Sequence, residues 1–335
     1  MIFFIKMLSC RNFLLSHVEK ILKRTDQMKL GKFEAKNFIL VNAFFEPSTR
    51  TSLSFATAAY RLGGNVITFN KDVSSVKKGE SFEDTIQTLS LYGDVMVVRH
   101  PEKGAVEHAS EVSHIPVINA GDGDGEHPTQ ALLDMYTIRE FLQNNHFHHP
   151  LVYLNHSHAV NNYDPYNILL VGDVLHSRTI HSLLHLLYMF PPINVFLLPY
   201  DGCDPSEEMI DHIKENNHDE GLQEIVLTKD SVQWNKFQVV YATRFQKERH
   251  EEAQKPNIIL DKSVYKQLQT NCIVMHPLPR NEELPSEIDH DERSNFIQQM
   301  ENGVYTRMAI LDMFLDDPSY SEQPSVDVEI IEIEN

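Results

Sequence analysis

Phe38-Ile39-Leu40-Val41-Asn42-Ala43-Phe44-Phe45-Glu46-Pro47-Ser48-Thr49-Arg50-Thr51 is the stretch on which the reading of this chain turns. An apolar run of strand length stops at Glu46-Pro47, and an Ala-rich segment at helical spacing then continues to Gly63-Gly64. A strand that feeds directly into a helix is the first half of a crossover unit, so the same alternation is expected around it.

Beyond it, residues 65–69, 94–98 and 116–120 read as further strands separated by helical stretches, and the pattern resumes at 167–171, 194–198, 224–227, 238–241 and 272–275. This alternation predicts an α/β fold of two domains, each a parallel sheet flanked by helices, with a site in the cleft between them. A chain of 335 residues with 41% hydrophobic composition can bury two such cores. We divide it into residues 1–143 and 167–294, joined by a His- and Asn-rich insertion or linker at 144–166 that lacks either period and contains Pro150 and Pro165. A helical run at 295–315 is long enough to return and pack on the first domain. The 316–335 tail carries acidic residues and no Lys or Arg, the composition of a solvated, mobile end. At the other end, apolar residues interrupted by Lys6 and Arg11 continue at helical spacing through Leu15, Val18 and Leu22, which reads as a packing helix and not as a signal peptide or membrane span.

The formal net charge of -19 sets a field that repels nucleic acid and anionic membranes, so neither is expected as a partner. Any anionic substrate must be captured locally. Cys10, Cys203 and Cys272 are far apart, with neither metal-ligand nor redox spacing, which suits a reducing compartment and by default the cytoplasm. His146, His148, His149, His156 and His158 lack a carboxylate or thiolate that would complete a ligand pattern, so a surface insertion is expected there and no metal site.

Local capture of an anion is what Ser48 to Thr51 can offer. A helix start exposes unpaired N–H donors and the positive end of the helix dipole, and Arg50 adds a bidentate fork. An isolated Ser-Thr pair would be an ordinary helix cap. The full run in this strand-to-helix setting resembles the carbamoyl phosphate loop of the aspartate and ornithine carbamoyltransferase family. The resemblance continues at Lys77-Lys78-Gly79-Glu80, at Val98-Arg99-His100-Pro101, and at Asn119-Ala120-Gly121-Asp122-Gly123 leading into His127-Pro128-Thr129-Gln130, and it covers roughly residues 8–315.

The resemblance implies that Ser48, Thr49, Arg50, Thr51 and Arg99 hold the phosphate while His127 and Gln130 address the carbamoyl group. It also implies that Ser74 and Lys78 enter the active site of a neighbouring subunit in a homotrimer. Attack on the carbamoyl carbon builds negative charge on its oxygen, and Thr51, Arg99 and His127 are donor types able to stabilise it. With Arg50 and Lys78 they make up the catalytic candidates.

In the second half, Asp173 to Thr179, Thr243 to Arg249 and His276 to Arg280 each follow the carboxyl end of an expected strand, the edge at which open α/β sheets bind ligands. By resemblance Arg178 takes the α-carboxylate of aspartate, Arg244 and Gln246 its side-chain carboxylate, and the Leu278 carbonyl its amine, with Lys78, Thr179 and Pro279 alongside. Glu46, Arg178 and Arg249 match positions that bridge the domains on closure. The implied reaction converts carbamoyl phosphate and L-aspartate to N-carbamoyl-L-aspartate and phosphate, the committed step of de novo pyrimidine biosynthesis, and requires no cofactor.

Ser52 stands where relatives commonly have arginine, and His176-Ser177 where they often have Tyr-Gly or Asn-Gly. These departures bear on packing and closure more than on chemistry. Ornithine carbamoylation would need recognition of a cationic side chain, whereas Arg244 and Pro277 favour a dicarboxylate. A catalytically silent homologue is opposed by Arg50, Lys78, Arg99, His127 and Arg244 all being intact. A dinucleotide-binding dehydrogenase would need a glycine spacing that Val171-Gly172-Asp173 lacks. The sequence carries no signal that names a regulatory chain or a partner enzyme.

Overall fold

The computed structural model describes residues 7–71, 74–154, 163–219, 222, 224–246 and 256–316. Within these, eight strands form two parallel sheets of four. The first contains β1 (Ile39–Phe44), β2 (Asn65–Asn70), β3 (Val95–His100) and β4 (Val117–Asp122), in the order β2-β1-β3-β4. The second contains β5 (Tyr166–Gly172), β6 (Ile193–Pro199), β7 (Val239–Ala242) and β8 (Ile273–Met275), in the order β6-β5-β7-β8. The two sheets therefore repeat one strand order.

Helices α1 (Leu15–Lys29), α2 (Arg50–Arg61), α3 (Phe82–Ser90), α4 (Ala105–Val112) and α5 (Pro128–Asn144) belong with or follow the first sheet. The short α6 (Pro150–Tyr153) precedes the second, which carries α7 (Arg178–Leu187), α8 (Glu207–Asn216) and α9 (Lys262–Tyr265). The last helix, α10 (Phe296–Leu315), packs against α1, α2 and α5.

Apolar runs form strands here because both sheet faces are covered, so alternate residues enter different cores. Leu40, Val95 and Val97 join a core shared with α1, α2, α5 and α10, while Val41, Ala43, Met96 and Val98 face α3 and α4 on the other side. In the second sheet Ile168 and Leu170 enter the shared core, and Leu169 and Val171 a third cluster. The shared core ties the two halves together. In each sheet the strand order reverses direction between the first and third strands, and such switch points leave a crevice at the carboxyl ends. The two crevices face one another.

Three expectations need correction. Residues 224–227 do not make a strand: Val226 forms a single bridge to Leu197, and the apolar neighbours Ile225 and Leu227 are buried without further pairing. The amino-terminal residues do not form one continuous helix, since a 3-10 turn at Cys10–Asn12 precedes the start of α1 at Leu15. The 144–166 segment is not a surface insertion throughout. His149 is fully buried, accepting from the Leu151 N–H at Nδ1 (3.2 Å) and donating from Nε2 to the Pro192 carbonyl (3.0 Å), while Leu151 and Leu154 enter the shared core. Histidines 156 and 158, and the acidic tail from residue 317, lie outside the described residues.

Candidate active site

One wall of the cleft is built on the switch point of the first sheet. β1 runs out at Phe44 and α2 begins at Arg50, with Thr49 as its N-cap residue making no side-chain capping bond. The first-turn N–H groups are thus not closed off by that hydroxyl. Ser52, the departure from the family pattern, accepts from Asn42 Nδ2 at its hydroxyl (3.0 Å) and its carbonyl (3.2 Å), anchoring the first turn of α2 to β1. Arg99 projects from the end of β3, and His127 immediately precedes α5.

Ser48, Thr49, Arg50, Thr51, Arg99, His127 and Gln130 all border one cavity of about 690 Å³, and Ser177, Arg178, Thr179, Thr243, Arg244, Gln246, Leu278 and Pro279 border it from the second half. Among the described residues five arginines line it, at 50, 99, 178, 244 and 307, and no Asp or Glu does. In a chain of net charge -19, that is a local reversal of the field. Arg50 and Arg244 come from opposite walls; the Arg50 pKa is lowered by desolvation and then by the like charge of Arg244. An anion between them would relieve both effects.

Glu46 stands behind this cluster. Its Oε1 accepts from Arg99 Nε at 2.5 Å within the first wall and from Arg178 Nη2 at 3.2 Å across the cleft. Arg178 also donates from Nη1 to the Gly123 carbonyl at 2.7 Å, so one guanidinium grips two segments of the opposite half. It packs over Gly121, whose φ of 126° favours glycine and where a Cβ would lie 3.0 Å from Arg178 Cζ. Arg249 lies outside the described residues.

His127 is buried, and its Nε2 and Nδ1 face the hydroxyls of Thr51 and Thr129, each at 3.5 Å. Its pKa is driven well below the ordinary value by burial first and then by Arg178, Arg99 and Arg307. The ring is neutral at physiological pH and holds a single N–H. Thr129 can donate to Nδ1 only in the tautomer that keeps the proton on Nε2, the Thr51 side. The His127 backbone N–H donates to Ser182 Oγ on α7 (2.9 Å), which links the α5 start to the second half.

On the second wall, Asp173 is fully buried and organises two loops. Its Oδ1 accepts from the His176 N–H and faces His176 Nδ1, both at 3.1 Å, and its Oδ2 accepts from the Gln246 N–H at 3.2 Å. His176 thus holds the turn before Arg178 by a side-chain bond. Leu278 adopts φ 60°, a left-handed conformation costing about 1 to 3 kcal/mol for such a residue. Its N–H donates to His276 Nδ1 at 2.8 Å, and His276 Nε2 faces Glu283 at 3.2 Å.

Ser74 and Lys78 do not border the cavity of their own chain. They lie beyond the exposed edge strand β2, Lys78 exposed at the end of a 3-10 turn and Ser74 bonded to the Lys71 carbonyl at 2.9 Å. Sequence reasoning missed Arg307, a buried residue of α10 whose Cζ sits 5.1 Å from the Phe55 ring centroid and whose Nε has no partner among the described residues. Burial pushes its pKa down to about 10. The signal was faint: Gln299, Gly303 and Arg307 recur every four residues along one face, but of a helix that carries other polar residues as well.

The model of the aspartate/ornithine carbamoyltransferase carbamoyl-P binding domain matches residues 6–140, and that of the family's Asp/Orn binding domain matches residues 164–314. The chain belongs to the aspartate/ornithine carbamoyltransferase family. Among family members, the chloroplastic aspartate carbamoyltransferase of Arabidopsis thaliana is 37% identical over 316 residues, covering 89% of this chain and 72% of that one. The multifunctional protein pyr1-3 of Dictyostelium discoideum is 43% identical over 82% of this chain, which spans only 12% of it. In structure, the family fold is shared with aspartate transcarbamoylase from Trypanosoma cruzi, crystallised with carbamoyl aspartate and phosphate, at a TM-score of 0.77 and 36% identity over 91% of this chain and 93% of that one.

Proposed function

We infer that this cleft transfers the carbamoyl group of carbamoyl phosphate to the amine of L-aspartate, giving N-carbamoyl-L-aspartate and phosphate for pyrimidine biosynthesis. The observation that carries this is five arginines, four from the edges of two facing sheets and Arg307 from α10, brought into one cavity with no acid among the described residues that line it. Family membership and the T. cruzi enzyme crystallised with carbamoyl aspartate and phosphate support the same reaction. We take 1–143 with α10 as the carbamoyl phosphate domain and 167–294 as the aspartate domain.

In this reading the α2 start with Ser48, Thr49, Arg50 and Thr51, together with Arg99, receives the phosphate. The aspartate carboxylates are met by Arg178 and by Arg244 with Gln246, flanked by Thr179 and Pro279, while the Leu278 carbonyl accepts from the amine. The amine nitrogen attacks the carbamoyl carbon and the C=O electron pair moves to oxygen, where Thr51, Arg99 and the neutral His127 donate hydrogen bonds. The pair then returns and the C–O bond to phosphate breaks. The departing phosphate takes the amine proton, since none of the described lining residues is a carboxylate and burial, then the neighbouring arginines, disfavour a protonated His127. A kinetic pKa that vanished with one protein side chain would contradict this assignment.

Glu46 acts as the latch between halves through Arg178, with Arg249 as its further partner. Ser74 and Lys78 complete the site of a neighbouring copy in a homotrimer, a reading supported by their position outside their own cavity beside an exposed sheet edge. Three buried cysteines, none of them in a disulfide, support a reducing location, which we take to be the cytoplasm. Arg244→Ala should raise KM for aspartate by tenfold or more, roughly the loss of one charge-assisted pair, with carbamoyl phosphate binding little changed. Arg50→Ala should impair both. Equal effects of the two variants on both substrates would overturn the division into half-sites.

A further inference from the structure

Beneath the cleft lies a carboxylate that the reaction does not use. Asp134, on α5, is fully buried. Its Oδ1 accepts from Gln130 Nε2 at 2.9 Å and from Gln299 Nε2 at 2.6 Å, and its Oδ2 accepts from the Tyr241 hydroxyl at 2.8 Å. Gln299 is fixed independently, because its Oε1 accepts the His276 N–H at 2.9 Å and its amide nitrogen must then face Asp134.

The consequence falls on Gln130. A side-chain amide has one donor face and one acceptor face, and its polarity is set by what it meets. With its nitrogen turned to an acceptor already holding Gln299, Gln130 keeps its oxygen for the cavity it borders, where that Oε1 makes no hydrogen bond among the described residues. An exposed acceptor there recognises a ligand N–H. The carbamoyl NH2 supplies one, whereas an acetyl group of the same shape puts a methyl against it.

We propose that Asp134 is a positioning residue that fixes the amide polarity of Gln130 and so makes the site select a carbamoyl donor by its NH2 over an isosteric acyl donor. This rests on the reading of Gln130 as the carbamoyl-facing residue. Burial raises the Asp134 pKa to about 7. Protonation on the Tyr241 side still leaves Oδ1 as an acceptor, so a neutral asparagine can do the same work.

The test uses two stable ligands, phosphonoacetamide, which carries the NH2, and acetonylphosphonate, which has a methyl in its place. Their dissociation constants and that of inorganic phosphate are measured by calorimetry on the full chain. Wild type should prefer the amide, because a site built to bond an N–H rejects the analogue lacking it. Asp134→Leu should cut that preference about tenfold, with phosphate affinity within about twofold of wild type. Asp134→Asn should retain the preference, as should Tyr241→Phe, which leaves the partner of Gln130 in place; these two variants decide the matter if the leucine variant fails to fold. Equal weakening of all three ligands in Asp134→Leu, or loss of preference in Asp134→Asn or Tyr241→Phe, would reduce Asp134 to a strut and overturn the proposal. Gln130→Ala separates the two levels. If it leaves the preference intact, the reading of Gln130 is wrong; if it abolishes the preference while Asp134→Leu does not, only the role of Asp134 falls.

Discussion

Replacing Glu46 by glutamine keeps the shape of the latch and removes its charge. The carboxylate is 23% exposed and its two arginine partners 16% and 13%, so solvent screens neither contact strongly. A charge-assisted hydrogen bond contributes about 1.5 to 3 kcal/mol and a neutral one about 0.5 to 1.5, so each arginine loses roughly 1 to 1.5 kcal/mol. The Arg99 share falls within one wall and leaves the relative position of the halves unaltered. The Arg178 share crosses the cleft, and about 1.4 kcal/mol there is a tenfold shift in the closed population. Steady-state kinetics of Glu46→Gln should therefore show kcat/KM for aspartate down about tenfold, while phosphate affinity measured by calorimetry changes no more than about threefold. Unchanged aspartate kinetics, or equal losses in both measurements, would refute the latch.

Two further perturbations test how the site is supported. Gly172 has φ 121°, and a Cβ there would lie 2.4 Å from the Thr243 carbonyl, so Gly172→Ala should destabilise the chain by about 2 kcal/mol or more in urea unfolding and displace the Arg244 loop. A variant as stable as wild type would contradict that packing. Burial pushes the His149 pKa down to about 4, below the roughly 6.5 of an unfolded histidine. The unfolded chain then binds a proton that the folded chain does not, so stability is lost as pH falls from 6.5 towards 4, by about 2 kcal/mol from this residue at pH 5. His149→Gln should show a correspondingly shallower fall in stability between pH 7 and pH 5, and an unchanged slope would show that His149 titrates as if exposed.

The parts of the fold legible in the sequence were those governed by local pattern. β1, β3, β5 and β6 announce themselves because burial on both faces writes a continuous apolar run. The same rule misleads at Ile225-Val226-Leu227, where burial is achieved with a single bridge and no ladder. His149 was hidden because its partner, the Pro192 carbonyl, is 43 residues away and leaves no local trace. In the site, each loop after a strand could be nominated from the sequence, yet the meeting of Glu46 with both Arg99 and Arg178 is a tertiary fact. Asp134 and Arg307 escaped for a shared reason: a polar residue inside a buried helix looks like an interruption of the apolar pattern until its partners on other elements are seen.

The identity of the two substrates is the most direct test of what this cleft does. Purified chain should be given carbamoyl phosphate with either L-aspartate or L-ornithine, and the carbamoylated product quantified by chromatography. The arginines of the second wall predict N-carbamoyl-L-aspartate and no carbamoylated ornithine. Turnover of ornithine alone, or of neither amine, would contradict it.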